Sequence, residues 1–286
     1  ASGALRSALA HDLPHEELDA AELRQRFPAF AVRDDTVAVW EPRAGILNPD
    51  ACISAHIRLA VHLGATVRTG ERVTGWSGGG DGANGIDVTT EGGEYRGAKL
   101  VLAAGAWLAP LVPELRLPLT IQRAVLYWFR PAGDAGDTDQ LGPDRFPIFI
   151  WEYEPGRIWY GFPDTGDGVK VALHHQGETT SPETIRRTVS DDEIAHMRSL
   201  VREYIPAADG PLLETAVCMY TNTPDLHFLI DRHPRSERAV LVSPCSGHGF
   251  KFASAIGEQV AALVLDGKPS LDLSAFALSR AALGHG

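Results

Sequence analysis

Two spacings of apolar residues alternate along this chain. Over 16–30 they recur every three to four positions, which predicts a helix ending near Pro28. A second helix is predicted to start at Asn48-Pro49-Asp50, with Ile53, Ile57, Leu59, Ala60 and Leu63 on one largely apolar face and Gly64 as its C-cap. Strand-like patterning follows in TVRTGERVTGW, GIDVTTEG and EYRGAKLVLAAG. The last of these closes on a continuous apolar run before Gly105-Ala106-Trp107, the pattern of a buried parallel strand whose C-terminal end meets a ligand. LTIQRAVLYWFRP, FPIFIWEYE, RIWYGFP and GVKVALHH predict antiparallel strands of one broad sheet. Residues 181–204 read as a helix, with Ser190-Asp-Asp-Glu as a capping box. Strands return at 214–221, 227–231 and 239–243. SGHGFKFASAIGEQVAALVLDG then runs from a loop into a helix that lines up Phe252, Ile256, Val260 and Leu263 and ends at Gly267.

This order predicts an α/β plus α+β chain with two interleaved domains. Residues 47–118 and 225–286, the latter including a C-terminal tail, form an incomplete doubly wound nucleotide-binding domain. Residues 1–46 and 119–224 form a substrate domain built on a large, mainly antiparallel sheet.

Composition narrows the function classes. The 286 residues are 44% hydrophobic, enough for a large core or two packed domains. A net charge of -11 repels phosphate backbones and argues against nucleic acid as a partner. No apolar run is long enough for a membrane span. The first residues lack the charged-then-apolar layout of a signal peptide, so the expected location is cytoplasmic. Cys52, Cys218 and Cys245 are too few and too oddly spaced for a disulfide framework or a zinc module. Only four of the 26 basic residues are lysines: Lys99, Lys170, Lys251 and Lys268. Two of these, in GVKVAL and GFKFAS, sit in apolar settings where an unpaired charge is costly.

One motif is misleading. Gly80-Asp-Gly82-Ala-Asn-Gly85 matches G-x-G-x-x-G, but IDVTT follows where a dinucleotide site needs a helix N-terminus. A hairpin loop accounts for these glycines. No other position supplies the fingerprint, and the βαβ unit that would carry it is absent from the sequence.

Three segments carry chemistry. In SGHGFKF, Gly247 and Gly249 allow close approach of the backbone to a ligand, and the following helix offers free N–H groups with Lys251 in its first turn. That suits an anion or an electron-rich ring edge; a glycine loop with a solvent-facing lysine fits equally. In AVCMYTNTPDLHFLIDRHP, Cys218 taken alone reads as a quiet core residue. In GVKVALHH, Lys170 is either a snorkelling edge residue or a buried one with a lowered pKa. His174 shares its sheet face. A metal reading of His174-His175 is weak, because neighbouring strand residues face opposite ways and no third ligand accompanies them.

Together these segments resemble the monomeric sarcosine oxidase and N-methyltryptophan oxidase family of covalent-flavin amine oxidases. The resemblance lies in CMYTNTPDLHFLIDRHP, SGHGFKFASAIGE and WYGFPDTGDGVKVALHH, in that family's order, with EPRAGILNPDACI and VLAAGAW in support. It covers the chain from about residue 20 onward. It implies an FAD cofactor linked through Cys218, with Lys170 activating O2 and Lys251 binding the substrate carboxylate. Tyr160, His174 and Tyr220 would surround the substrate amine. Val73, Gly105, Ala106, Trp107, Gly247, His248, Gly249, Phe250 and Lys251 would meet FAD, and Cys245 would serve packing. A cation beside the reaction site stabilises charge developing on O2, and lysine supplies it as a compact point charge.

The implied reaction converts a secondary amino acid, N-methyl or cyclic, to an imine, with O2 going to H2O2. The family's phosphate loop, its ribose-binding acid and its N-terminal carboxylate-pairing arginine have no counterpart here. FAD binding is therefore expected to need an N-terminal segment, either lost from this chain or supplied as a separate polypeptide. Two rival readings are a flavin dehydrogenase using another electron acceptor and a subunit that does not hold FAD alone. A hydrolase fits poorly, since Ser246 and His248 are too close in sequence to pair and no G-x-S-x-G elbow occurs.

Overall fold

The computed structural model describes residues 2–78, 84–133 and 138–284. The chain divides into two compact units. The first comprises Ala1–Ile46, Ala124–Gly177 and Arg186–Cys218; the second comprises Leu47–Arg123, Glu178–Ile185 and Met219–Gly286.

The first unit is a sheet with one face filled. Phe149–Glu154, Arg157–Phe162 and Val169–His174 run antiparallel in chain order, and Val169–His174 also pairs with Thr120–Phe129. Strand alternation sends Tyr127, Phe129, Trp159, Val169 and Val171 to one side, where all are buried. The helix Asp191–Tyr204 covers them with Met197, Leu200, Val201 and Tyr204. Its capping box is formed, with Ser190 and Glu193 exchanging side chain-to-backbone bonds. The helix occupies only the last part of 181–204, because Ser190 holds extended backbone (φ -81°, ψ 159°) and fixes the start.

A similar cap corrects the N-terminal reading. Residues 16–30 are not one helix. Asp19, extended at ψ 178°, caps a short helix Ala20–Arg26, and Glu16–Leu18 instead pairs with Ala38–Trp40.

The second unit holds a three-stranded sheet ordered Leu229–His233, Ser236–Ser243, Leu100–Leu102. The last two strands are parallel, as the VLAAG run implies. Burial is incomplete, however: Leu102 is buried while Val101 is 41% exposed on this edge strand. Apolar clusters lie around Leu108, Val112, Leu229 and Leu241, and around Val240, Ile256, Val260 and Leu263 of the helix Ala253–Leu265. Phe252, expected on that helix face, is exposed in the 3-10 turn Phe250–Phe252 before it.

Val73–Gly78 and Ile86–Thr90 pair antiparallel with Gly78 opposite Ile86, the register of a hairpin. Of the misleading glycine motif, residues 80–83 lie outside the described residues.

The helix Pro49–His62 forms as its sequence predicts, with the Asn48 side chain accepting from the Ala51 amide and Gly64 at φ +98° beyond its end. Yet it has no buried residue: Ile53, Ile57, Leu59 and Val61 are 43–56% exposed.

Candidate active site

In the first unit the site follows from sheet register. Lys170 lies opposite Trp128 on one side and Phe162 on the other. Two residues on, Ala172 lies between Leu126 and Tyr160; His174 then faces Ile158. The period of two puts Lys170, His174, Tyr160, Trp128 and Phe162 on the sheet face opposite the buried one. That face is partly open, since Tyr160, Lys170 and His174 are all half-buried. Tyr160 and His174 ring centres stand 6.0 Å apart at 83°. Trp159 and Trp151, whose directions the sequence leaves open, point away from this face: Trp159 is fully buried and both pack in the apolar cluster behind the sheet.

Lys170 is neither freely snorkelling nor sealed in. Burial pushes its ammonium pKa down, and the Cys218 sulfur opposes that shift electrostatically. Its Nζ sits 5.0 Å from the Trp128 ring centre and 5.3 Å from that of Phe162. Cys218 is exposed on the strand Leu212–Asn222, against the solitary reading of it as core. An apolar-looking strand segment at the open side of a sheet leaves its sulfur accessible, whereas Cys245 is half-buried and burial pushes its thiol pKa up. The sheet thus brings Lys170, His174, Tyr160 and Cys218 into one neighbourhood.

In the second unit the glycine loop is built by a polar network. Ser246 is buried at φ +48°, a conformation that costs free energy in a non-glycine residue. Three bonds hold it: its amide donates to Thr221 O at 2.9 Å, its hydroxyl donates to His227 O at 3.2 Å, and its Oγ accepts from the Thr223 amide at 3.4 Å. Gly247 follows at φ +75°, so close under Tyr220 that a Cβ would lie 2.9 Å from its ring. The His248 ring contacts Leu226 O through Nε2 at 2.9 Å. Phe250 and Lys251 are exposed in the 3-10 turn, and no side chain caps that turn or the helix after it.

A clasp that motif reasoning passed over anchors this network. Arg280 from the C-terminal segment donates to both oxygens of Asp225, at 2.8 and 3.0 Å. Asp225 also accepts from the Thr223 hydroxyl at 2.9 Å and the His227 amide at 3.3 Å. Arg280 first among these, they hold the Asp225 carboxyl well below the usual carboxylate range. The signal in the sequence was the TPD turn; its arginine partner, 55 residues away, carries none.

Elsewhere in this unit Val73 is exposed at the start of its strand. Gly105, at φ +53° with open space where a Cβ would stand, begins the short turn Gly105–Trp107; Ala106 is buried and Trp107 is 44% exposed.

Within the second unit these features fit a flavin nucleotide: Gly105 leaves open space for close approach to its backbone, and the uncapped turn after Gly249 offers N–H groups to an electron-rich ring edge. The first unit, by itself, presents the accessible thiol of Cys218. No metal-binding group of three or more His, Cys, Asp or Glu occurs among the described residues, and no helix among them is long and apolar enough to cross a membrane.

Comparison with known proteins agrees. Residues 2–263 match the FAD dependent oxidoreductase family. The chain is 43% identical over 280 residues to the monomeric sarcosine oxidase of Streptomyces avermitilis, covering 96% of this chain and 71% of that protein. It is 35% identical over 278 residues to the N-methyl-L-tryptophan oxidase of Yersinia pestis, covering 96% and 72%. Among solved structures, an unusual amino acid oxidase essential for nikkomycin biosynthesis superposes with a TM-score of 0.80 at 23% identity, over 96% of this chain and 71% of that one. The L-proline dehydrogenase of P. horikoshii gives 0.79 at 22%, over 95% and 70%. At those identities the likeness is one of fold.

Proposed function

Because the chain belongs to the FAD dependent oxidoreductase family, we propose that it oxidises an N-methyl or cyclic amino acid to an imine and passes the electrons to O2. The amine loses two electrons and two protons, which convert O2 to H2O2; water then hydrolyses the imine. FAD, when bound, accepts the electron pair from the amine and delivers it to oxygen.

Lys170 places a cation where charge develops on O2, and its half-buried position strengthens that effect relative to water. His174 and Tyr160 line the same face and would orient the amine and take its proton. Lys251 would bind the substrate carboxylate, and Tyr220 would stand with Tyr160 and His174 around the substrate amine. Val73, Gly105–Trp107 and Gly247–Lys251 would hold FAD, and Cys218 would bond to its ring.

The observation that carries this reading is the open sheet face that sets Lys170, His174 and Tyr160 beside the accessible sulfur of Cys218. Two variants test it in the flavin-loaded protein. Lys170→Met should slow reoxidation of the reduced enzyme by O2 by 100-fold or more, roughly the scale of losing one transition-state charge partner. An unchanged rate would remove Lys170 from the oxygen site. Cys218→Ser should release its flavin on acid denaturation, whereas the parent retains it. Equimolar O2 consumption and peroxide formation would separate an oxidase from a dehydrogenase.

We also propose that a nucleotide-binding segment outside these 286 residues completes the FAD site. In support, the sequence has no dinucleotide fingerprint, Pro49–His62 leaves its apolar side chains uncovered, and Leu100–Leu102 stands at a sheet edge. The chain alone should bind FAD much more weakly than the chain co-expressed with a strand-helix-strand segment bearing G-x-G-x-x-G. Equal affinity would end this part of the reading.

A further inference from the structure

The lysine strand poses a problem of its own. A flexible four-carbon side chain gains positional definition only from what it touches, and ordering it costs side-chain entropy. At Lys170 neither a hydrogen bond nor a carboxylate acts on the ammonium among the described residues; burial and the Cys218 sulfur are what perturb it. What flank it are two aromatic rings. Trp128 and Phe162 are its direct cross-strand neighbours on either side, and both ring centres lie within the range of a cation–π contact, at 5.0 and 5.3 Å. The arrangement is a consequence of register: one aromatic residue on each adjoining strand, opposite the same lysine and on the same face.

We propose that Trp128 and Phe162 are positioning residues, a two-ring clamp that fixes the Lys170 ammonium over the open sheet face while leaving its three N–H donors to a bound ligand. Rings suit this task where a carboxylate would not. A carboxylate would hold the ammonium through those same donors and cancel its charge. The ring face attracts the cation through its quadrupole and occupies no directional donor site. Removing one ring should therefore loosen the side chain and disfavour its charged form. The other titratable groups around Lys170 are Tyr160 on Arg157–Phe162, His174 on its own strand and Cys218 on Leu212–Asn222; Thr120–Phe129 offers Leu126 and Trp128 at this register, neither of which ionises.

The proposal rests on the oxidase reading for its purpose but not for its test. Lys170 can be titrated in the full chain by acylating it over a pH series and quantifying the modified peptide by mass spectrometry. Trp128→Leu and Phe162→Leu keep apolar bulk but lose the ring face. Each should move the labelling midpoint of Lys170 downward by about 0.4 to 1.5 pH units, while Trp128→Phe and Phe162→Tyr should restore it. An unchanged midpoint in both leucine variants would overturn the clamp. So would an upward shift, which would mean that the rings act only by excluding water. In the flavin-loaded protein the leucine variants should slow reoxidation about three- to tenfold, a smaller loss than Lys170→Met. If Lys170→Met leaves reoxidation untouched, the oxygen role fails, and the labelling midpoints still decide whether the clamp exists.

Discussion

The helices Asp191–Tyr204 and Pro49–His62 are both 14 residues long and both begin with a side-chain cap, yet they end in opposite states. The first buries Met197, Leu200, Val201 and Tyr204; the second buries nothing. Local sequence decides that each segment is a helix. Whether its apolar side chains leave water depends on a partner surface. The first unit supplies one in its own sheet, where Trp159, Phe129 and Val171 wait for that helix face. On Pro49–His62 the side chains of Ile53, Ile57, Leu59 and Val61 stay exposed.

This difference predicts unequal costs for equal chemistry. Leu200→Ala should destabilise the chain by about 2–5 kcal/mol, the range for deleting buried methyl groups and leaving a cavity. Leu59→Ala or Ile57→Ala, the same kind of truncation on an exposed face, should stay within about 0.5 kcal/mol. Urea unfolding monitored by circular dichroism measures both. If Ile57→Ala cost as much as Leu200→Ala, the helix face would be covered in solution, and the comparison would collapse.

The candidate functional residues of the two units, each taken by itself, repeat the contrast in another form. Lys170, His174 and Tyr160 stand on a sheet whose far side is packed with apolar rings. The glycine loop is held by polar bonds around Ser246, Thr223, Asp225 and Arg280 instead. Arg280→Ala should cost about 1.5–3 kcal/mol, because it strips two charge-assisted bonds from a carboxylate that is mostly buried. Acid should act through the same pair. The folded state holds Asp225 below its ordinary range. Its stabilising contribution is therefore complete above pH of about 4 and is lost progressively as pH falls below that. Asp225→Asn should abolish this part of the acid sensitivity. An Asn variant with the parent's acid profile between about pH 2 and 4 would show that the clasp does not contribute.

Legibility followed the same division between local and distant causes. The four strands of the main sheet, the caps at Ser190 and Asn48 and the parallel VLAAG strand could be read directly, because alternation and capping are local patterns. The placement of Lys170 and His174 on one face followed from a period of two. Three things were not readable. The helix expected over 16–30 is broken at Asp19, whose extended backbone competes with helix continuation. Cys218 looked like core because an apolar neighbourhood in sequence says nothing about which side of a sheet is covered. Trp128, Phe162 and Arg280 were invisible as partners because each meets its target through register or chain return, over separations that no motif spans.

The smallest expected effect separates the two helices most cleanly. Ser190→Ala and Asn48→Ala each remove one N-cap acceptor, and each should cost about 1 kcal/mol of helix stability. The cap bond is local, so its loss is similar in both places. What should differ is where the loss appears. Asp191–Tyr204 is packed on the sheet and unfolds with it, so Ser190→Ala should lower global stability and speed amide exchange across the first unit. Pro49–His62 has little holding it to its unit, so Asn48→Ala should speed exchange in that helix alone and leave the urea midpoint unchanged. Amide hydrogen exchange read by mass spectrometry distinguishes the two. A global effect from Asn48→Ala would mean that this helix is coupled to its unit despite its bare face, and burial would then not be what divides the two helices.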